Sequence, residues 1–248
     1  MTPQDESLQA AGPLALVGSG EYLEEMSPIE AALLAGRPPR YVQLATAAVP
    51  DGPAVVARWH HLGSEQAARL GVEAVVLPVA DRRDAEDPAL AAEVAGAGLV
   101  YLSGGNPSYL ADTLRGSAVW DAIVAAWQAG AALAGCSAGA MVLSSHVPSL
   151  RHPREGVDGL GLVPHLRVLP HFDAFVGRFP DMVTRALIPH DPGGTVIGVD
   201  EMTAIVGGPS TWTVQGRGSA WLLRTGGRTE LSTGTTFTLD PDAVSSRS

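Results

Sequence analysis

The sequence predicts an α/β fold, with a mostly parallel central sheet flanked by helices and an antiparallel C-terminal edge. Between residues 14 and 143, short apolar runs alternate with stretches of helical spacing, and such alternation requires crossovers between parallel strands. After residue 195, apolar runs follow one another with glycine-containing turns between them, which is typical of antiparallel strands. The 248 residues are 46% hydrophobic and only 17% charged, so the chain can bury a sizeable core.

The N-terminal part contains the elements expected of the parallel sheet. Predicted strands cover residues 14–18, 40–46, 72–79, 99–102 and 131–134, and predicted helices cover 53–70, 109–114 and 119–128. Ligands of such sheets bind beyond the carboxyl ends of the strands. Gly104-Gly105-Asn106 and Ser137 both follow a predicted strand, so we expect them at this edge.

The C-terminal part begins with a loop and continues with short strands. Residues 144–164 contain three prolines and several charges, as an active-site loop can. A short strand at 168–172 and a helix at 181–188 are predicted next, then strands at 196–199, 203–206, 212–215 and 219–223 that complete one edge of the sheet. We expect a single domain over residues 12–240, with flexible tails at 1–11 and 241–248.

Charge and composition restrict the partners. The formal net charge is −10 and no basic stripe is present, which argues against nucleic acid and anionic membranes. The polar, acidic start does not resemble a signal peptide, and no apolar run reaches the length of a membrane span, so a cytoplasmic protein is expected. Cys136 is the single cysteine, which excludes an internal disulfide and a cysteine zinc site.

Ser137 lies at the centre of the most informative motif. Gly135-Cys136-Ser137-Ala138-Gly139 reads G-x-S-x-G between an apolar strand and small residues suited to a helix start. This is the pattern of a nucleophile elbow, in which a strained turn lifts one side chain above the sheet. A small-residue turn that only packs a helix on the sheet has the same pattern, so the motif alone leaves both interpretations open.

A serine nucleophile needs a base and an oxyanion hole. His171 follows an apolar strand and Pro170, a position from which its ring could face Ser137, although a structural histidine would fit there too. The backbone N–H of Ala138 is one expected oxyanion donor, and the Gly104-Gly105 turn could supply the second. Asn106 could cap the following helix. The other histidines lie on a solvated helix face or in loops.

Four stretches together resemble the dipeptidase E and cyanophycinase family of serine peptidases. In chain order they are Leu102-Ser103-Gly104-Gly105-Asn106, Gly135-Cys136-Ser137-Ala138-Gly139-Ala140, Gly159-Leu160-Gly161-Leu162 with Pro170-His171-Phe172, and Gly198-Val199-Asp200-Glu201-Met202-Thr203-Ala204. The resemblance covers residues 14–225 and implies a flavodoxin-like sandwich, similar to class I glutamine amidotransferases. It implies no cofactor and no metal.

The resemblance also implies roles for individual residues. Ser137 matches the nucleophile, His171 the general base, and Gly105 with Ala138 the oxyanion donors. The third member of the triad is expected to be an acid between serine and histidine. Glu155 is the predicted match and Asp158 the alternative.

The sequence departs from the family pattern where the substrate would be recognised. The cyanophycinase branch commonly has closely spaced arginines after its His-Phe pair, whereas Arg178 alone follows here, slightly displaced. Pro107 stands where relatives often have Gln or Thr. Arg178 and Asn106 are therefore the predicted substrate-binding residues, while Arg151 and Arg154 are expected to be solvated.

The leading hypothesis is a serine peptidase that hydrolyses small aspartyl-containing peptides through an acyl-enzyme on Ser137. A small peptide is the expected partner, and a homodimer stays open. Two alternatives are a non-catalytic binding domain of amidotransferase-like fold and a glutaminase that uses Cys136. The glycines frame Ser137 rather than Cys136, which favours the serine.

Overall fold

An eight-stranded sheet forms the centre of the protein. The computed structural model describes residues 11–148, 156–176, 194–224 and 227–240. Five neighbouring strands of the sheet are parallel, and three at one edge are antiparallel. In spatial order they are β14 (Thr236–Thr238), β11 (Thr211–Gly216), β10 (Thr203–Gly207), β1 (Leu14–Val17), β5 (Ala132–Cys136), β4 (Leu99–Leu102), β2 (Arg40–Leu44) and β3 (Glu73–Val76). The predicted α/β fold is confirmed.

Both faces of the sheet are buried at β1, β4 and β5, which explains why these three strands are apolar throughout. Along β1, Leu14 and Leu16 belong to one apolar cluster, whereas Ala15 and Val17 belong to another. Successive side chains of a strand point to opposite faces. A strand covered on both faces therefore reads as a continuous apolar run rather than an alternating one.

Helices cover these faces and join the parallel strands. They are α1 (Ser27–Leu34), α2 (Pro53–Arg69), α3 (Arg82–Ala85), α4 (Pro88–Ala92), α5 (Pro107–Leu114), α6 (Ala118–Gln128), α7 (Ala138–Val142) and α8 (Phe172–Val176), with 3₁₀ helices at Glu24–Met26 and Thr46–Asp51. Several begin at a proline or a capping side chain; Ser117 Oγ, for example, accepts the N–H of Trp120 at 3.2 Å. Within the described ranges, no helix combines the length and apolar character needed to cross a bilayer.

A second, four-stranded sheet corrects the predicted C-terminal edge. Its strands, in spatial order, are β13 (Gly227–Ser232), β12 (Ser219–Arg224), β9 (Thr195–Val199) and β8 (Leu166–Leu169). The strands expected to complete one sheet are thus divided: β10 and β11 join the central sheet, while β9 and β12 join the second. The division occurs at the turn 200–202, where Met202 has a φ of +52° and Asp200 accepts the N–H of Ser219 at 2.9 Å.

The predicted loop at 144–164 contains a short hairpin. Strands β6 (His146–Pro148) and β7 (Gly156–Asp158) pair antiparallel, and residues 149–155 between them lie outside the described residues. The predicted helix at 181–188 and the tail at 241–248 also lie outside them. The single domain over residues 12–240 stays a prediction.

Strand register brings several loops to one edge of the central sheet. Val17 at the end of β1 pairs with Cys136 at the end of β5, and Leu102 at the end of β4 pairs with Gly135. The chain segments that follow these three strands therefore lie together. Strand β10 runs antiparallel to β1, with Ala204 opposite Val17, so the turn before β10 reaches the same edge.

Glu30 places a carboxyl group inside the core on α1. Its side chain is 2% exposed, and Oε2 accepts a hydrogen bond from the Tyr41 hydroxyl at 3.0 Å. Among the described residues Oε1 has no hydrogen-bond partner. Burial disfavours the charged form and raises the pKa of Glu30 from 4.5 to about 7.

Replacing Glu30 with Gln should make the protein more stable relative to wild type as the pH rises. Because the folded-state pKa lies above the unfolded value, the stabilising proton is lost as pH increases through about 7. Between pH 5 and pH 8, the free energy of unfolding of Glu30→Gln relative to wild type should increase by about 2 kcal/mol, since each unit of pKa difference corresponds to roughly 1.4 kcal/mol. Urea unfolding at both pH values measures it. Glu65→Gln, an exposed control, should show no such gain, and an equal effect of Glu30→Gln at both pH values would contradict the prediction.

Candidate active site

Ser137 occupies a strained turn between β5 and α7. Its backbone has φ +50° and ψ −108°, a conformation that residues with a Cβ rarely adopt. Its N–H donates to the Val17 carbonyl at 2.9 Å, which fixes the turn to β1. A Cβ on Gly139 would lie 2.2 Å from the Leu102 carbonyl oxygen, so the helix can approach β4 only with glycine there. The predicted nucleophile elbow is therefore present.

His171 reaches Ser137 from the second sheet. It follows β8, has a φ of +52° and immediately precedes α8. Its Nε2 lies 3.1 Å from Ser137 Oγ. The next residue, Phe172, is buried at 3% exposure, whereas about a third of the His171 side chain remains exposed. The predicted pairing of this histidine with the serine is thus found in the geometry.

Glu201 holds the other side of the imidazole. Its Oε1 lies 2.9 Å from His171 Nδ1, and its backbone N–H donates to Asp173 Oδ1 at 2.9 Å. With Nδ1–H donating to the carboxylate, the lone pair of Nε2 is directed to the Ser137 hydroxyl. Such an arrangement can remove a proton from the serine and stabilise the imidazolium that results.

The sequence prediction for the orienting acid was different. It named Glu155, which lies outside the described residues, with Asp158 as the alternative. Asp158 lies in β7, where it pairs with His146 and its carbonyl oxygen accepts from Arg115. Among the residues that the structure describes, the carboxylate that contacts His171 is that of Glu201, so Glu201 replaces Asp158 as the candidate orienting acid.

A sequence signal for Glu201 existed. It belongs to one of the four stretches that carried the family resemblance, and it immediately precedes the β10 region. An antiparallel strand beside β1 begins at the edge where the parallel strands end, so an acid just before it is a candidate for the site. The assumption that the acid lies between Ser137 and His171 in the chain excluded it.

The predicted oxyanion donors lie at the same edge. Ala138 is the first residue of α7, so its N–H has no acceptor within the helix. Gly105, in the turn after β4, has a φ of +139° and is exposed. Gly104 beside it is close to the nucleophile, since a Cβ there would lie 3.3 Å from Ser137 Cβ. Their role as donors remains a prediction.

The predicted substrate-binding residues are only partly described. Asn106 is exposed, and its Oδ1 accepts the N–H of Tyr109 at 3.0 Å, so this oxygen caps α5. Arg178 lies outside the described residues, as do Arg151 and Arg154. Within the described ranges, no group of three or more His, Cys, Asp or Glu residues could hold a metal ion.

Cys136 has none of the features of a nucleophile. Its side chain is fully buried, and its Sγ donates to Glu21 Oε2 at 2.9 Å. Burial, with the nearby Glu21 carboxylate, raises the pKa of the Cys136 thiol well above its usual value. The reactive thiolate is therefore disfavoured, which argues against the glutaminase alternative.

Solved structures that resemble this one include those of two bacterial peptidases. A peptidase from an acI-B1 Actinobacterium, known from a crystal structure, has 40% sequence identity to this chain. The match covers 92% of this chain and 97% of that peptidase, with a TM-score of 0.85. A putative peptidase E protein from Listeria monocytogenes EGD-e is 18% identical over 84% of this chain and 100% of its own, with a TM-score of 0.61; at this identity the likeness shows the fold. No match was found among curated protein sequences.

The sequence model of Peptidase family S51 matches residues 14–211. This range includes the elbow, the histidine and the carboxylate that contacts it. A non-catalytic binding domain is therefore not supported. The chain belongs to peptidase family S51 and is a serine-type peptidase.

Proposed function

We propose that this peptidase hydrolyses small aspartyl-containing peptides through an acyl-enzyme on Ser137. The observation that carries the proposal is the continuous contact from Ser137 Oγ to His171 Nε2 at 3.1 Å and from His171 Nδ1 to Glu201 at 2.9 Å. A nucleophile, a base and a group that orients the base are the parts that serine acyl transfer requires.

Acylation begins with attack of Ser137 Oγ on the substrate carbonyl carbon, while His171 Nε2 accepts the hydroxyl proton. Negative charge develops on the carbonyl oxygen, where the N–H groups of Ala138 and Gly105 would stabilise it. Collapse of the tetrahedral intermediate breaks the peptide bond, and the imidazolium returns the proton to the leaving amine. Water then attacks the ester, with His171 as base, and releases the acid and Ser137.

Glu201 would act by holding the ring and by stabilising the imidazolium. Its carboxylate fixes the proton on Nδ1, which keeps Nε2 available as the acceptor. The hydrogen bond from the Glu201 N–H to Asp173 fixes the backbone of Glu201 to α8, the helix that follows His171. The acid and the base are thus held relative to each other.

The aspartyl preference rests on the family resemblance. A side-chain carboxylate in the substrate requires a cationic partner, and Arg178 is the candidate by position in the sequence. Pro107 and the single arginine depart from the pattern of the cyanophycinase branch. A short aspartyl peptide is therefore favoured over the polymer, while both α- and β-aspartyl linkages stay open.

Ser137→Ala should abolish turnover with the fold intact, because the acyl-enzyme cannot form. The substrates are Asp-Leu, β-Asp-Arg, Glu-Leu, Ala-Leu and cyanophycin, and we expect serine-dependent cleavage of an aspartyl peptide. A fluorophosphonate should label wild type but not the variant. Ser145→Ala, which removes an exposed hydroxyl bonded to the Pro164 carbonyl, is the matched control and should remain active.

Retained turnover in Ser137→Ala would overturn the acyl-enzyme mechanism. Serine-dependent cleavage of Ala-Leu at the rate of Asp-Leu would overturn the aspartyl preference alone.

Glu201→Gln should lower kcat by about 10³-fold, since an amide donor at Nδ1 favours the wrong imidazole tautomer. KM should change little, because the ground-state contacts of the substrate remain. Glu65→Gln is the control. Glu65 Oε1 lies 3.3 Å from His61 Nε2 on the exposed surface of α2, so this substitution removes a similar carboxylate–imidazole pair outside the site. A kcat in Glu201→Gln within a few-fold of wild type would rule out the orienting role.

A further inference from the structure

The segment that follows β1 contacts the turn that follows β4 through two consecutive side chains. Glu21 Oε1 accepts the N–H of Gly104 at 3.0 Å. The Tyr22 hydroxyl lies 2.6 Å from Ser103 Oγ. Neighbouring residues of one segment thus hold neighbouring residues of the other, which restricts both the position and the orientation of the β4 turn.

The second oxygen of the same carboxylate contacts the strand that ends in the nucleophile. Cys136 Sγ donates to Glu21 Oε2 at 2.9 Å, and Cys136 directly precedes Ser137. Because its thiol is buried and its pKa is raised, the thiol keeps the proton that it donates. One carboxylate therefore joins the β4 turn to the elbow; we call this arrangement the Glu21 bridge.

The Glu21 bridge lies beside the reacting serine. A Cβ on Gly104 would lie 2.7 Å from Glu21 Oε1 and 3.3 Å from Ser137 Cβ. The carboxylate, the turn and the nucleophile therefore share one small volume at the edge of the sheet. A shift of the carboxylate would be transmitted directly to the backbone nearest Ser137.

Gly105 is the residue whose N–H this arrangement orients. The peptide unit that carries this N–H joins Gly104 to Gly105. The unit before it is held by the N–H of Gly104, which donates to Glu21, and the unit after it by the N–H of Asn106, which donates to the Ala47 carbonyl at 2.7 Å. The N–H of Gly105 itself has no acceptor among the residues that the structure describes. An unpaired donor fixed on both sides is what a preorganised oxyanion site needs.

We propose that Glu21 is a positioning residue, which fixes the Gly104–Gly105 turn so that the Gly105 N–H can donate to the oxyanion formed on attack by Ser137. The inference rests on the proposed function, because it requires an oxyanion at Ser137. Both oxygens of Glu21 already accept protein hydrogen bonds, which favours this role over direct binding of a substrate ammonium group.

The test compares Glu21→Ala and Glu21→Gln in their rate of inactivation by a fluorophosphonate, whose transition state also places an oxygen in the oxyanion site. Glu21→Ala should react about 10- to 100-fold more slowly, because a displaced donor costs less than the roughly 10²- to 10³-fold of a donor that is removed. Glu21→Gln keeps an oxygen that can accept from Gly104 and should react within about threefold of wild type. With the peptide substrate, the loss should appear in kcat rather than in KM.

Glu24→Ala is the matched control, since Glu24 is an exposed carboxylate three residues along the same segment; its inactivation rate should equal that of wild type. Thermal unfolding is followed for each variant. Should Glu21→Ala fail to fold, Glu21→Met replaces it, because methionine has similar length but offers the Gly104 N–H no oxygen. It should show the same loss.

An inactivation rate of Glu21→Ala equal to wild type would overturn the proposal. So would a Glu21→Gln variant as slow as Glu21→Ala, since the charge and not the hydrogen bond would then matter. Ser137→Ala, measured alongside, separates this result from the proposed function: turnover without Ser137 rejects the mechanism itself, whereas an inactive Ser137→Ala with an unaffected Glu21→Ala rejects only the positioning role.

Discussion

The hydrogen bond from the Ser137 N–H to the Val17 carbonyl is the interaction on which the site depends. It extends the pairing of β1 and β5 by one residue into the elbow. A serine at φ +50° is costly in isolation, and it persists because the strands on either side determine its position. The parallel register of β1, β5 and β4 thus sets the place of Ser137 and of the turn that faces it.

The elements of the central sheet could be predicted because each is specified locally. Apolar runs between glycines predicted the strands. The predicted bounds of α2 and α6 differ from the observed ones by one residue at most. The division of the C-terminal strands between two sheets could not be read in the same way. β9 and β10 are both short apolar runs, and only the bend at residues 200–202 and the hydrogen bonds of Asp200 direct them to different partners.

The site shows the same contrast. Ser137 has a local signature, since the flanking glycines are required by backbone contacts within a few residues and with β4. His171 has a weaker one, at the end of a strand. Glu201 has none that spacing alone reveals, because its proximity to His171 arises from the antiparallel placement of β10 beside β1. The prediction relied on chain order, whereas the contact between Glu201 and His171 follows from sheet topology.

The three acidic residues Asp173, Asp200 and Glu201 make different contacts near His171. Asp200 accepts hydrogen bonds from the Ser219 N–H and from the Trp221 indole at 2.9 Å each. Burial raises the pKa of Asp200. Asp173 accepts from the Glu201 backbone. Asp173 and Asp200 thus form hydrogen bonds that hold the turn, whereas the Glu201 carboxylate contacts the histidine.

The active site combines residues from two sheets that are completed at different points of the chain. Ser137 follows β5 of the central sheet, whereas His171 follows β8 of the second sheet. Glu201 precedes β10, a strand that pairs with β1 from nearly 190 positions away. During synthesis, Ser137 therefore emerges before His171 and Glu201. The contacts of Ser137 with His171 and of His171 with Glu201 therefore form only once the C-terminal third has docked, so the arrangement proposed for hydrolysis depends on completion of the fold.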